Sequence, residues 1–239
     1  LGDVYKRQKH FLALPVTGDT FAEIREKNRY YVDKTPYLKT VFSEDEAVDD
    51  KSLINGTTVL LLTRPRRFGK TLLMNMFESF LKISANEPGN ITKHLNYFKG
   101  TKILEDKEFC KKYMGQFPVI SITLKDVLGD DFESAYLKLA EVVSAKANEF
   151  SFLKESPYLN EMEKAKFNLL CDEIYLKKAD KQAISYVTSA IKSLSLMLYK
   201  HFNKQVYILI DEYDVPLAKA QDNLSLIHIS EPTRPEPIS

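Results

Sequence analysis

The sequence predicts an α/β fold with a mostly parallel sheet, and two kinds of segment carry that prediction. Residues 57–63 (TTVLLLT), 117–124 (FPVISITL) and 206–210 (VYILI) are short apolar runs rich in β-branched residues and leucine, as expected for strands buried on both faces. Between them lie longer stretches whose apolar residues recur at helical spacing. Strands separated by helices argue for a parallel sheet in a layered fold.

Composition bounds the rest. At 239 residues and 44% hydrophobic, the chain can bury one substantial core, and a single large domain is the starting expectation. Thirty-four basic against 33 acidic side chains leave a formal charge of +1, so the overall balance draws the protein to neither nucleic acid nor anionic membrane. Cys110 and Cys171 lie far apart in unlike surroundings, which supports reduced, buried thiols and neither a disulfide framework nor a metal cluster. The start, LGDVYKRQKHF, has no apolar h-region behind its basic residues, and no apolar run approaches the roughly 18 residues that span a bilayer. A soluble, cytoplasmic protein with no membrane partner is expected. His10, His94, His201 and His228 lack the i, i+4 spacing of a metal-binding helix, which excludes zinc chemistry of that kind.

Taken in order, residues 21–42 mix aromatic and charged side chains. Tyr31, Val32 and Asp33 form a short extended piece, and Thr35 and Pro36 suit the N-cap and first position of a helix. The acidic run 43–51 reads as a solvated loop. Residues 57–63 should be a central strand, followed by the turn RPRRFG and the helix KTLLMNMFESFLKIS, which stripes Leu72, Leu73, Met76, Phe77, Phe80 and Leu81 along one side. A polar stretch, 86–102, precedes the second strand. Asp130 or Asp131 caps the helix DFESAYLKLAEVVSAKANEF, with Glu133 completing a capping box if Asp130 is the cap. Helices over 160–176 and 181–202 follow, the latter with Ile184, Val187, Ile191, Leu194 and Leu198 apolar. The third strand then ends in acids. Residues 225–239 hold three of the ten prolines and read as disordered or extended.

Gly69-Lys70-Thr71 stands where a buried strand gives way to an amphipathic helix, the place at which backbone N–H groups and the helix dipole favour phosphate. Gly69 lets the backbone approach, Lys70 reaches the β- and γ-phosphates, and the Thr71 hydroxyl ligates Mg2+. The full GxxxxGK[ST] pattern is not met, because Arg64 occupies the first glycine position. A GK[ST] triplet arises by chance in on the order of one chain in ten of this length, so its context decides. About 140 residues later, 206–212 supplies an apolar strand and then Asp211 and Glu212, a Walker B arrangement in which Asp211 holds magnesium through water and Glu212 polarises the attacking water. A surface strand ending in acids is the competing reading of that pair taken alone. Both motifs fall at carboxyl ends of strands, where ligands of open α/β sheets bind. Asp214 either adds to the magnesium shell or serves a turn beside Pro216. Arg64, Arg66 and Arg67 either contact phosphates or a partner, or stand solvated in a loop.

The combination YYVDKTPYL, LLTRPRRFGKT and YILIDEYDVPL resembles the AAA-ATPase-like family of bacterial proteins over about residues 21–220, a family in which the loop has the form RPRRFGKT. The resemblance implies a P-loop NTPase three-layer sandwich, incomplete at the C-terminal side, of the STAND-like branch. It implies that ATP is bound by a segment of Arg66, Arg67, Phe68, Gly69, Lys70, Thr71 and Leu72. Many relatives carry a PD-(D/E)XK nuclease-like domain farther on, through which nucleic acid would become a partner. Tyr31, Asp33, Lys34 and Thr35 belong to the family pattern without a derived role. VYKRQ near the start and SLIHISEPTRPEPIS at the end resemble translated sequencing-adapter sequence. The expected organisation is therefore a partly non-native lead over 1–20, the ATPase-like domain over 21–221, and a non-native tail over 222–239. A fragment lacking the sensor strand should fold poorly and hydrolyse little, since unpaired ladder groups face the gap.

Four functions fit these motifs. Mg-dependent ATP hydrolysis coupled to a downstream domain comes first, and a nucleotide-occupancy switch in a signalling or defence scaffold second. A P-loop kinase fits less well, because the DE pair suits water activation. Nucleic-acid processing rests on the downstream domain and on Arg64, Arg66 and Arg67.

Overall fold

Large aromatic side chains dominate the interior: Phe21, Phe80, Phe98 and Phe167 are fully buried, and each removes well over a hundred Å² from water. The computed structural model describes residues 12–16, 18–42, 60, 68–129 and 131–213. Its elements in chain order are α1 (Phe21–Glu26), α2 (Pro36–Phe42), α3 (Lys70–Leu81), α4 (Thr92–Phe98), α5 (Lys107–Tyr113), β1 (Val119–Thr123), α6 (Phe132–Glu149), α7 (Glu161–Cys171), α8 (Glu173–Leu176), α9 (Lys181–Thr188), α10 (Ala190–Phe202) and β2 (Tyr207–Asp211), with 3-10 turns at Lys102–Glu105 and Ser151–Glu155. This is an α/β chain.

β1 and β2 form a two-stranded sheet. The Tyr207 N–H donates to Pro118 and the Leu124 N–H to Asp211, both at 3.0 Å, so the strands run parallel. The expected first strand, 57–63, lies outside the described residues except for Leu60. β2 differs from the expectation of burial on both faces. Ile208 is 43% and Ile210 39% exposed, while Tyr207 and Leu209 pack on the aromatic core. The alternation puts only one face inside.

The chain divides into two compact units, Leu1–Val119 with Lys204–Leu209, and Ile120–Asn203 with Ile210–Ser239. In the first, α3 lays Leu73, Met76, Phe77, Phe80 and Leu81 into the core, as its stripe predicts. Leu72 packs at the margin. After α3 the Ile83 N–H donates to Phe117 and the Phe117 N–H to Leu81, a parallel bridge that continues toward β1. Three helices here, α1, α4 and α5, have no counterpart in the sequence-based expectation. α1 begins with a capping box in which Thr20 and Glu23 satisfy one another's amides, a T-x-x-E signal present in the chain. α4 interrupts the polar stretch 86–102, burying His94 and Phe98 over too few turns to show a period.

In the second unit Asp131, one of the two expected caps, starts α6 and forms a capping box with Ser134, while Asp130 lies outside the described residues. The helix expected over 160–176 is broken at Asp172, whose carboxylate accepts the Tyr175 N–H and starts α8. The helix expected over 181–202 is broken at Ser189. There the Thr188 hydroxyl donates to Ile184 and Ser185, and the Ser189 hydroxyl to Ser185, side-chain bonds that compete with the helical ladder.

Cys110 and Cys171 are free, half-buried thiols, and burial pushes both above the ordinary thiol range. Among the described residues no helix is long and apolar enough to cross a membrane, and no group of three or more His, Cys, Asp or Glu could hold a metal ion.

Candidate functional site

The sequence-predicted site residues fall into two groups. Phe68, Gly69, Lys70, Thr71 and Leu72 gather at the start of α3 in the first unit. Asp211 and Glu212 sit at the end of β2 in the second. Arg66 and Arg67, with Arg64 and Asp214, lie outside the described residues.

At the start of α3, Gly69 is the N-cap with φ 72° and ψ 35°, a residue with no side chain of its own to cap the helix. A left-handed residue here costs an L side chain roughly 1–2 kcal/mol, so glycine is the residue the turn requires. The start of a 12-residue helix carries the positive end of the helix dipole, which favours an anion. Lys70 and Gly69 are half-buried, Thr71 is exposed, and the Phe68 ring is 61% exposed. Leu72 turns its side chain toward the core, which leaves only its backbone for a ligand.

A residue to which the sequence assigned no role stands beside this turn. Lys34 Nζ lies 3.5 Å from the Phe68 carbonyl, and a Cβ built on Gly69 would come within 3.0 Å of it. The flanking residues are tied elsewhere. Asp33 accepts the Lys102 N–H at 2.8 Å together with the amide and hydroxyl of Thr35, and the Thr35 hydroxyl accepts the Ile103 N–H at 3.2 Å. Pro36 does open α2, as predicted. Burial alone would push the Asp33 carboxyl up, but these donors outweigh it and hold the group below its ordinary value. Tyr31 accepts the Lys34 N–H, and burial pushes its phenol up to about 12. The only sequence signal for this cluster was the YYVDKTPYL string itself.

At the end of β2, Asp211 is buried, with 8% of its surface exposed. Its carboxylate accepts the N–H of Glu212 at 3.0 Å, and Glu212 takes a left-handed φ of 54°. The chain thus turns immediately after the strand, with two carboxylates on consecutive residues. Carboxylate oxygens are donors that magnesium accepts.

A family model described as "AAA-ATPase_like: Predicted AAA-ATPase" matches residues 15–231, most of the chain. An "Uncharacterized protein in vnfD 5'region" of Azotobacter chroococcum mcd 1 is 29% identical over 132 residues, which cover 55% of this chain and 20% of that relative. The match thus spans a fifth of the relative's length. No solved structure matches.

Proposed function

The chain belongs to the AAA-ATPase-like family, and from that premise we propose that it binds Mg-ATP and, in the whole protein, hydrolyses it. The observation that carries the reading is the start of α3: a helix N-terminus entered through a left-handed glycine and followed by Lys70 and Thr71. Lys70 pairs with the β- and γ-phosphates, while the backbone over 68–72 follows the triphosphate, with Arg66 and Arg67 contributing charge. Thr71 and Asp211 would hold the metal, Asp211 through water, and the metal would supply charge neutralisation at the phosphoryl oxygens. Glu212 accepts a proton from the attacking water.

The fold that serves this chemistry is a P-loop three-layer sandwich over residues 21–221, working in the cytoplasm. Its output passes to a downstream domain, where a nuclease-like effector would bring nucleic acid into contact.

Comparing ATP turnover by the full-length protein and by Glu212→Gln tests the reading. The variant should bind ATP as well as the parent and lose hydrolysis by about a hundredfold or more, the usual scale for a general base. Equal turnover by the two would remove Glu212 from the mechanism. Tight retention of ATP by the parent, with turnover far below the ordinary enzyme range of about 10 per second, would instead identify a nucleotide-occupancy switch.

A further inference from the structure

The backbone of Lys34 is held from three sides. On one flank Asp33 is bound to the Lys102 amide, and on the other Thr35, fully buried, is bound to that of Ile103. Its own N–H donates to the Tyr31 hydroxyl, whose ring meets Phe21 edge-on at 5.2 Å. Asp33 and Thr35 thus face the 3-10 turn Lys102–Glu105, and the side chain of Lys34 leads to Phe68 and Gly69. There its ammonium is poorly matched. A single carbonyl at 3.5 Å is at the limit of a hydrogen bond, and an ammonium has three donors. No carboxylate pairs with it among the described residues. The position it reaches is the space beside Gly69 that a side chain would fill.

We propose that Lys34 is a second phosphate-contacting lysine, set beside Gly69 so that it and Lys70 bind the same polyphosphate from two sides. Asp33 and Thr35 are the positioning residues that aim it. This rests on the nucleotide reading above and adds to it a specificity: a site with two lysines discriminates by the number of phosphates its ligand carries.

The test is the affinity of the full chain for ATP and for AMP, with Mg2+ present, for the parent and for Lys34→Met, Lys34→Arg and Lys70→Ala. Lys34→Met should weaken ATP binding by about tenfold or more, the weight of one charge-assisted hydrogen bond, and shift AMP binding by no more than about twofold. Lys34→Arg should keep most of the ATP affinity. Thr35→Val, which retains shape but releases the Ile103 amide, should show the same ATP-selective loss to a smaller degree. Unchanged ATP affinity in Lys34→Met would overturn the proposal, and so would an equal loss for ATP and AMP, since a lysine that merely pins the Phe68 carbonyl affects both alike. If Lys70→Ala loses ATP while Lys34→Met retains it, the second lysine fails and the nucleotide site stands. If the parent binds no ATP, both fall together.

Discussion

In the first unit a run of ring contacts joins distant parts of the chain: Phe21 to Phe98 at 4.9 Å, Phe98 to Phe80 at 5.2 Å, Phe80 to Phe109 at 5.8 Å, Phe109 to Tyr113 at 4.7 Å, and Tyr113 through Phe42 to Tyr207, both at 5.3 Å. In the second unit, short-range polar contacts set the geometry. Asp131, Asn160, Asp172 and Asp180 each cap the helix that follows, and the helices are tied by Tyr136 donating to Leu176 and Ser144 to Cys171. Helix starts set α3 apart from its neighbours in both units. A side-chain oxygen accepts an N–H in the first turn of α6, α7, α8 and α9, and likewise of α1 and α5 in the first unit, whereas α3 begins at a glycine. Aromatic packing stabilises α3 from its buried face, so the helix can start at a residue that has no capping side chain.

Removing a ring should therefore hurt most. Phe80 is fully buried between Phe98 and Phe109, and Phe80→Ala should cost about 3–5 kcal/mol by urea unfolding. Amide exchange should accelerate first in α3 and α4; acceleration first in α7 and α9 would break the comparison. A cap should matter less. Asn160 accepts the Glu163 N–H at 2.9 Å, and Glu163 returns the bond to the Asn160 amide, so Asn160→Ala should cost about 1 kcal/mol. A loss as large as that for Phe80 would show that the second unit, too, depends on single positions.

This division explains what could be read in advance. The stripe of α3, Pro36 at the start of α2, the two strands after residue 117 and the Gly69-Lys70-Thr71 turn are local patterns, each written within a dozen residues. The breaks at Asp172 and Ser189 were hidden because the apolar period continues across them, while single hydroxyls and one carboxylate redirect the backbone. The exposure of Ile208 and Ile210 depends on what covers a strand, which an apolar run does not specify. Lys34 was beyond reach for a different reason. Its approach to Gly69 spans 34 residues to the Phe68 carbonyl, and it depends on Asp33 and Thr35 meeting amides 69 and 68 residues away.

The smallest effect expected is one of pH, and it separates the units through a histidine in each. Burial lowers the pKa of both His94 and His201 below the ordinary 6.5. The unfolded chain therefore takes up a proton before the folded one, and stability is full above 6.5 and falls as pH drops through it toward the folded values. The two rings differ in what a proton would meet. His94 Nε2 faces the Lys82 carbonyl at 2.9 Å, which only accepts, so the neutral ring carries its proton there. Its Nδ1 is buried without a partner among the described residues, and a second proton would be stranded on it. His201 Nδ1 meets the Ser156 hydroxyl at 2.8 Å, an oxygen that can rotate to accept. His94→Gln should accordingly flatten the difference in urea midpoint between about pH 8 and about pH 5.5 more than His201→Gln does. The reverse order would mean that the hydroxyl at Ser156 cannot turn, and that acid sensitivity resides in the unit held by caps.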